Sequence, residues 1–293
     1  MGVYMVKISI IIATYNSEAT IRQTLNSIRY QTYPNVEVIV VDGKSVDRTV
    51  DIIRNYDDVV TRYISEEDCG IYNAFNKGLD MITGEYVVFI GSDDCLCDYE
   101  VLEKVAKHLT SNVNVLSTPI IVVDNKFKKE FILNNIYSDE DVLSGAMIPH
   151  PGLYVKSEIL KKYKFNEGNK IISDYEFLLR YVLDGGKVKF LDFPTVYFSN
   201  GGISSGEYGS NFWIKRFYEH VKLFALLNLE ERYLYILFDR FLSLRNKNTC
   251  YYIKELIKIV LKKWHLYDYL KAIKNKKHNC NLKYCRWCNR YEE

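Results

Sequence analysis

Two adjacent carboxylates, Asp93 and Asp94, are the side chains of this 293-residue chain best placed to do chemistry. They follow residues 86–90, five apolar or aromatic residues that predict a short strand buried on both faces of a parallel sheet. Carboxylates at the end of a buried strand are costly unless a positive group lies beside them. Cations of the Mg²⁺ type bind carboxylate oxygens together with substrate phosphates. The pair therefore predicts a place where a metal and a nucleotide diphosphate meet; the alternative is a solvated turn that caps a helix near Asp98.

Polar side chains also follow the three other strands predicted in this part of the chain, at residues 7–14, 36–41 and 59–64. These side chains are Thr14, Asn16, Glu18, Asp42, Ser45 and Asp68. Ligands of an open α/β sheet bind just outside the carboxyl ends of the strands. Any one of these residues could be a turn or cap residue, but four strands that all end in this way favour a shared binding site.

Helical patterns separate the strands, and the first of them places Ile21, Leu25 and Ile28 on one face. Strand alternating with helix four times in under 100 residues predicts a parallel sheet with right-handed crossovers. No GxGxxG follows the first strand, and the chain has no GxxxxGK[ST]. These absences speak against a dinucleotide-type Rossmann site and against a P-loop.

Four segments occur in order: IIATYN (11–16), VVDGKSVDRT (40–49), SEEDCGIYNAFNKG (65–78) and GSDD (91–94). Through them the chain resembles the nucleotide-binding half of a family 2 glycosyltransferase with the GT-A fold. The resemblance implies an α/β fold in which a Rossmann-like parallel or mixed sheet is flanked by helices. It also implies a nucleoside diphosphate sugar donor of the UDP type, a divalent metal (Mn²⁺ or Mg²⁺) and inversion at the anomeric carbon.

The same resemblance assigns roles to single residues. Asp94 is expected to be the metal ligand, with Asp93 nearer the ribose and Ser92 among the donor-binding residues. Asp42 is expected to accept from N3–H of the base. The remaining donor-binding residues are Thr14, Tyr15, Asn16 and Glu18 along uracil and ribose, Ser45 beside Asp42, Asp68 near base and ribose, and Asn76 and Lys77 at the border of the pocket. Because Ser92 replaces the first acid of the family's DXD motif, Asp94 is the single strong ligand.

The second half of the catalytic body is predicted to hold a helix at 101–109 and an acceptor-side sheet. The strands of this sheet are expected at 113–117, 119–123 and 127–133, and closing strands are expected at 188–193 and 195–199. His150, in a segment that resembles the family's His-Gln motif, is expected to contact acceptor or diphosphate; a structural histidine is the alternative. Ser204 and Ser205 lie in a Gly- and Ser-rich loop, which either orders over the diphosphate or is a plain linker.

Asp174 stands where a helix is predicted to begin, and the residue pattern alone is satisfied by a helix cap. The family resemblance makes Asp174 the general base. Transfer with inversion needs a carboxylate on the face opposite the leaving diphosphate, to take the proton of the acceptor hydroxyl. The metal neutralises the diphosphate without a proton. Glu176 is the second choice, although its place on the helix aims it elsewhere.

Charge divides the chain into two parts, although the net charge is only +2. Residues 1–210 carry 21 Lys+Arg and 29 Asp+Glu, whereas residues 211–293 carry 18 and 8. We therefore expect a GT-A catalytic domain over 1–210, with a nucleotide-binding half at 7–94 and an acceptor half at 95–210, and a basic helical extension over 211–293. An apolar stripe over 253–264 faces a row of lysines, which fits binding to an anionic membrane surface or packing on the catalytic domain.

Apolar runs, cysteine spacing and charge limit the location and the further partners that we expect. No apolar run approaches the ~18 residues of a membrane span, the N-terminus lacks a leader pattern, and the seven cysteines lack a disulfide framework. We expect a cytoplasmic protein, or one attached peripherally to the inner face of the plasma membrane. Cys280, Cys285, Cys288 and His278 could bind zinc or be free thiols. The acidic catalytic body argues against nucleic acid as a partner.

These features predict an inverting, metal-dependent glycosyltransferase of surface-polysaccharide biosynthesis, of the O-antigen or capsule type. Its acceptor would be a glycan or a sugar linked to polyprenyl diphosphate. One alternative is a sugar nucleotidyltransferase, which would need a Gly-rich, basic loop after the first strand, where this chain has TYNSE. The other is a non-catalytic module that binds nucleotide or carbohydrate.

Overall fold

A computed structural model describes residues 5–124, 129–133, 138–146, 149–199, 209–227, 284–285 and 290–291. The strands are β1 (Ile8–Thr14), β2 (Val36–Asp42), β3 (Arg62–Ser65), β4 (Tyr86–Gly91), β5 (Cys95–Leu96), β6 (Val115–Ser117), β7 (Ile120–Asp124), β8 (Lys129–Leu133), β9 (Leu153–Lys156), β10 (Val188–Phe190), β11 (Val196–Ser199), β12 (Tyr284–Cys285) and β13 (Arg290–Tyr291). The helices are α1 (Ile21–Arg29), α2 (Thr49–Arg54), α3 (Ile71–Leu79), α4 (Val101–Ala106), α5 (Asp139–Leu143), α6 (Ser157–Tyr163), α7 (Ser173–Leu183) and α8 (Gly209–Leu226), with a 3₁₀ turn at His150–Gly152.

A seven-stranded mixed sheet with the order β10-β6-β9-β4-β1-β2-β3 forms the centre of the fold. Strands β1, β2, β3 and β4 are parallel, as the alternation of strand and helix predicts. Strand β9 inserts between β4 and β6 and runs antiparallel to both. The predicted GT-A type α/β fold is therefore confirmed, with the first half of the chain supplying one side of the sheet.

The central strands are buried on both faces because helices cover both sides of the sheet. Successive side chains of a strand point to opposite faces. Ile11, Ile39 and Phe89 belong to a core cluster that includes residues of α3, α7 and α8. Ile10, Val40 and Val88 point the other way and pack with residues of α1, α2 and α4. Continuous apolar runs such as that of β1 follow directly from this two-sided burial.

A second sheet with the order β5-β11-β7-β8 lies on the acceptor half of the chain. Strands β11 and β7 are parallel, and β5 and β8 pair antiparallel at its two edges. The hairpin of β7 and β8 agrees with the predicted strands. Strands β12 and β13 form a separate two-stranded pair.

Helix α8 extends across the boundary that charge predicts at residue 210. Its side chains Phe217, Val221 and Phe224 are buried in the same core cluster as α7. The extension up to Leu227 therefore packs on the catalytic body. The 253–264 stripe, His278, the side chains of the three C-terminal cysteines, Ser204 and Ser205 lie outside the described residues. No helix in the described ranges is both long and apolar enough to cross a bilayer.

Candidate active site

The carboxyl ends of β1, β2 and β4 form one edge of the sheet. Thr14 lies beside Asp42 in the register of β1 and β2, and Ala13 lies beside Gly91 in that of β1 and β4. The hydroxyl oxygen of Thr14 is buried and has no hydrogen-bond partner among the described residues. This edge is therefore where the predicted donor-binding residues converge, and it offers an unmet polar group to a ligand.

Asn16 and Glu18 hold the loops after β1 and β2 together. The backbone N–H of Asn16 donates to Ser45 Oγ at 2.8 Å, and Val46 N–H donates back to Asn16 Oδ1 at 3.0 Å. Glu18 likewise accepts from the backbone N–H of Arg48 at 3.0 Å. Asn16 has a φ of +48°, a left-handed conformation that asparagine tolerates better than most residues. Both predicted nucleotide contacts thus also shape the crevice wall.

Asp42 is completely buried beneath this edge. Its Oδ2 accepts from Ser45 N–H at 2.9 Å and from Ser65 Oγ at 2.6 Å, and its Oδ1 accepts from Ser45 Oγ. The carboxylate therefore fixes the two loops that follow β2 and β3. The role of Asp42 as acceptor for the base N3–H stays a prediction. The oxygen that accepted this hydrogen bond would be one that already accepts from Ser45 or Ser65.

Tyr15, Gly43 and Asp68 form the open rim of the crevice. The Tyr15 side chain is 60% exposed. A β-carbon on Gly43 would lie 2.6 Å from Asp68 Oδ2 and 3.4 Å from Tyr15 Cδ2. Only glycine lets the carboxylate and the ring approach the backbone so closely. This rim presents an aromatic face and a carboxylate, which suits stacking and hydrogen bonding to a nucleobase or ribose.

Asn76 makes its contacts away from the strand ends, whereas Lys77 contacts Glu66, the residue that follows β3. The Asn76 amide donates to Phe165 O at 2.9 Å and to Glu167 Oε1 at 2.8 Å, and it accepts from Phe165 N–H at 3.0 Å. Lys77 Nζ lies 2.7 Å from Glu66 Oε1. Asn76 is therefore a brace between α3 and the segment before α7, and its predicted nucleotide contact stays a prediction.

Asp93 and Asp94 converge after β4. A β-carbon on Gly91 would lie 2.8 Å from Asp94 Oδ2 and 2.9 Å from Asp93 Oδ1. Asp94 is almost fully buried and accepts from the backbone N–H groups of Gly91 at 2.9 Å and Ser199 at 3.1 Å. Ser92 Oγ lies 2.8 Å from Ser17 Oγ, which joins this turn to the loop after β1.

Ionisation of the Asp93 and Asp94 carboxyl groups is less favourable here than in water. Burial and the nearby charge of Asp93 raise the pKa of Asp94 to about 6, although His150 and two backbone hydrogen bonds act in the other direction. Burial also raises the pKa of Asp93. No lysine or arginine of the described ranges forms an ion pair with either residue. A cation would relieve this cost.

The donor set fits a hard divalent cation whose coordination is completed from outside the chain. Carboxylate oxygens are suitable ligands for Mg²⁺ and Mn²⁺. Within the described part of the chain, no cluster of three or more His, Cys, Asp or Glu residues is arranged to hold a metal. Diphosphate oxygens and water would therefore have to supply the remaining ligands.

His150 links these carboxylates to Asp174. Its Nδ1 lies 3.6 Å from Asp174 Oδ2, and it is close enough to Asp93 and Asp94 to lower the pKa of both. The ring also packs edge-on against Phe75, with centroids 5.6 Å apart. The predicted base and the predicted metal ligands thus all lie near one histidine.

Glu176, the second choice for the base, points away from this region. One of its oxygens accepts from Asn166 and Asn169, and the other accepts from Arg180 at 2.7 and 2.9 Å. The side chain is buried in these contacts. Its carboxylate is therefore part of the packing of α7.

Several residues of the site were not predicted from the sequence. Tyr72 donates a hydrogen bond to Asp174, Asp47 accepts from Glu18 N–H, Ser17 contacts Ser92, and Glu219 accepts from the backbone before α7. Ser17 and Asp47 lie within or beside the quoted segments, so their position was a usable signal. Tyr72 and Asp174 are 102 residues apart, and no local pattern pairs them.

Comparison with known proteins gives a consistent result. Residues 9–181 match the family model described as glycosyl transferase family 2. The glycosyltransferase GlyA of Streptococcus pneumoniae serotype 4 is 30% identical over 181 residues, which are 55% of this chain and 26% of that protein. The UDP-Glc:alpha-D-GlcNAc-diphosphoundecaprenol beta-1,3-glucosyltransferase WfaP of Escherichia coli is 28% identical over 215 residues, 69% of this chain and 81% of that one.

The fold is also found in solved structures. The S. aureus protein TarS, residues 1–349 in complex with UDP-GlcNAc, superposes with a TM-score of 0.65 at 24% identity, over 83% of this chain and 74% of that one. The mannosyltransferase PcManGT of Pyrobaculum calidifontis, in complex with GDP-Man and Mn²⁺, gives a TM-score of 0.59 at 20% identity, over 86% and 74% of the two chains. The likeness supports the fold described above.

Proposed function

Because the chain belongs to glycosyl transferase family 2, we propose that it is an inverting glycosyltransferase that uses a nucleoside diphosphate sugar as donor. The sugar would pass to a hydroxyl of a glycan or of a lipid-linked sugar. The observation that carries the proposal is that His150 lies 3.6 Å from Asp174 and close enough to Asp93 and Asp94 to act on the pKa of both. One crevice then contains both groups that the reaction needs, a site for the departing diphosphate and a carboxylate for the incoming alcohol.

The donor would lie along the carboxyl edge of β1, β2 and β4. Tyr15 and Asp68 would contact the base and ribose from the exposed rim, and Asn16, Ser45 and Glu18 would keep the loops in place. A UDP-linked sugar is the proposed donor class, supported by relatives and neighbours whose names include UDP-Glc and UDP-GlcNAc.

Asp94, with Asp93 beside it, would hold a divalent cation together with the donor diphosphate. When bound, such an ion supplies positive charge that stabilises the diphosphate as it leaves. The chain's own contribution is to keep two carboxylates close together at a buried strand end. Ser204 and Ser205 are proposed as further diphosphate contacts.

Asp174 would be the general base. It is 7% exposed, and its Oδ2 faces His150 across 3.6 Å. A base needs hydrogen-bond reach to the proton that it removes. Asp174 would take the proton of the acceptor hydroxyl as that oxygen attacks the anomeric carbon, and His150 would contact the acceptor or the diphosphate.

The proposal is tested by measuring nucleotide release from UDP-glucose, UDP-galactose, UDP-N-acetylglucosamine and GDP-mannose with Mn²⁺. We expect UDP release from one UDP-sugar. Formation of UTP from a UDP-sugar and pyrophosphate would instead indicate a nucleotidyltransferase. Tight UDP-sugar binding without turnover, even with glycan and lipid-linked acceptors present, would indicate a binding module.

The base assignment is tested with Asp174→Asn, which keeps the shape of the side chain and removes its basicity. Because a positioned general base contributes about 10²–10⁴-fold to a rate, we expect transfer to fall by at least a hundredfold. Calorimetric binding of UDP with Mn²⁺ should stay within twofold of wild type. Transfer by this variant at the wild-type rate would show that another group is the base.

A further inference from the structure

The two carboxylate oxygens of Asp174 have different surroundings. Oδ1 accepts from the hydroxyl of Tyr72 at 3.0 Å and from the backbone N–H of Tyr175 at 2.8 Å. Oδ2 faces Nδ1 of His150 at 3.6 Å, which is beyond hydrogen-bond length. Within the described part of the chain, the carboxylate is thus held at Oδ1, and Oδ2 accepts no hydrogen bond.

Tyr72 reaches this position from the donor half of the molecule. It is the second residue of α3, directly after the loop that carries Asp68. Its ring is buried and stacks on Phe165 with centroids 5.7 Å apart. Its hydroxyl also lies 2.9 Å from Ile171 O, at the approach to α7. Packing therefore fixes the ring, and the single proton of the hydroxyl is shared between Ile171 O and Asp174 Oδ1.

The Tyr72 hydroxyl can act only as a hydrogen-bond donor here. Burial, and next the negative charge of Asp174, raise the pKa of Tyr72 well above its usual value of 10. A phenol that keeps its proton can donate to a carboxylate but cannot take a proton from an acceptor. Tyr72 is therefore excluded as the base itself.

We propose that Tyr72 is a positioning residue for the general base: its hydroxyl holds Oδ1 of Asp174 so that Oδ2 faces the acceptor hydroxyl. This inference rests on the proposed function, in which Asp174 removes the acceptor proton. Rotation of the carboxylate would break the hydrogen bonds from Tyr72 and Tyr175 together.

Other charged or titratable groups also face Asp174. His150 approaches from the 3₁₀ turn, and Arg216 and His220 of α8 lie near Asp174; burial lowers the pKa of both, and the charge of Asp174 only partly opposes that shift. Burial outweighs this effect on His220 and lowers its pKa to about 3, so its ring is neutral at neutral pH. A change confined to the Tyr72 hydroxyl leaves all of these groups in place, which makes its effect on the pH profile interpretable.

The test is Tyr72→Phe, which removes one oxygen atom and keeps the packed ring. With the UDP-sugar selected from the four-donor panel, we expect kcat to fall about tenfold to a hundredfold, as for loss of a hydrogen bond to a charged group. The KM for that donor should stay within twofold. The kcat–pH profile should also change, because proton removal by a carboxylate that is no longer held in place becomes the slower step.

Tyr86→Phe is the matched control. Tyr86 is equally buried, and its hydroxyl donates to the backbone carbonyls of Thr110 and Val113, at the other end of β4 from the site. Its loss should lower the melting temperature to a similar extent and leave kcat and the pH profile unchanged. A purely structural role for the Tyr72 hydroxyl would make the two variants alike.

A double variant separates this inference from the assignment of the base. In the Asp174→Asn background, Tyr72→Phe should cost little further activity, because the group that it positions is no longer a base. A wild-type kcat and pH profile in Tyr72→Phe, or an equal loss in both backgrounds, would overturn the inference while the base assignment stands. Wild-type activity of Asp174→Asn, or no turnover of any donor, would overturn both.

Discussion

At the scale of single residues, Asp94 is a buried carboxylate that forms no ion pair with a lysine or arginine of the described residues. Its carboxylate is 1% exposed, and burial and Asp93 raise its pKa to about 6. Gly91 makes the arrangement possible, because any β-carbon there would fall within 3 Å of both carboxylates. A buried charge without a partner is costly, so a protein that keeps one gains something else from it.

The variant Asp94→Ala removes the proposed metal ligand. We expect Mn²⁺-dependent UDP binding to weaken by at least tenfold, because the cation and the diphosphate share this site in the proposed function. UDP binding in the presence of a chelator should change much less, since the loops that would hold the nucleoside remain intact. Isothermal titration calorimetry with and without Mn²⁺ measures both quantities.

Asp98→Ala provides the control for that measurement. Asp98 follows the same turn and pairs with Lys104 at 2.9 Å, but it lies on the surface beside α4. Its loss should leave Mn²⁺-dependent UDP binding unchanged. Equal weakening in the two variants would mean that Asp94 acts through the fold of the turn and does not bind the cation.

At the scale of elements, the segment before α7 is held from two sides. Tyr72 of α3 contacts Ile171 O and Asp174, and the carboxylate of Glu219 in α8 accepts from the backbone N–H groups of Lys170, Ile171 and Ile172 at 2.9–3.2 Å. These N–H groups lie just ahead of the helix, where the backbone lacks intrahelical partners. Two helices from distant parts of the sequence therefore fix where α7 begins.

Glu219→Gln tests the contribution of α8. The amide retains one acceptor oxygen but turns a donor towards N–H groups, so we expect the free energy of unfolding to fall by about 1–3 kcal/mol. Transfer activity should fall further than donor binding, because the displaced segment carries Asp174. Chemical denaturation and steady-state kinetics measure the two effects.

Glu158→Gln in α6 is the comparison for this variant. Glu158 is 72% exposed and lies 4.0 Å from Lys156, a surface pair that contributes little. It should behave as wild type in both assays. Unchanged stability and activity in Glu219→Gln would show that the three hydrogen bonds do not hold the segment.

The elements themselves could largely be predicted from the sequence, because apolar runs and helical spacing are local signals. The parallel strands β1, β2 and β4 and the polar residues at their ends follow from these patterns. The insertion of β9 between β4 and β6 could not be predicted, because strand order depends on contacts between distant segments. For the same reason the sequence predicted a nucleotide contact for Asn76, which stays a prediction, but not its hydrogen bonds to Phe165 and Glu167.

At the scale of the whole molecule, the central sheet has a polar cluster at each end. The end opposite the crevice holds Glu37, which is 1% exposed and accepts from Ser9 Oγ, Thr83 Oγ1 and the backbone of Thr83 and Gly84. Burial alone would raise the pKa of Glu37, but these hydrogen bonds outweigh it and lower the pKa to about 2. This carboxylate joins β1, β2 and the start of β4.

The pH dependence of stability follows from that pKa. The folded protein holds Glu37 ionised below its usual pKa of 4.5, so the stability that it contributes is complete above about pH 4.5 and is lost as the pH falls towards 2. Glu37→Gln should lose about 2 kcal/mol of unfolding free energy at pH 7 and show a weaker dependence on pH in the acid range. Urea denaturation at several pH values measures this.

UDP binding by Glu37→Gln should remain at the wild-type level, because the residue lies at the far end of the strands from the crevice. An unfolding free energy with the same acid dependence in both proteins would contradict the assignment of this pH effect to Glu37.

The hydrogen bonds of Glu219 also indicate which residues a shortened version of this transferase must keep. The family model ends at residue 181, whereas the carboxylate that fastens the approach to Asp174 is supplied by residue 219. A fragment trimmed to the family limits would keep the predicted base and ribose contacts, Asp94 and Asp174, yet lose one of the two anchors of Asp174 and the proposed diphosphate contacts Ser204 and Ser205. A polypeptide shortened for crystallisation, or fused to another protein, should therefore include all residues up to Leu227.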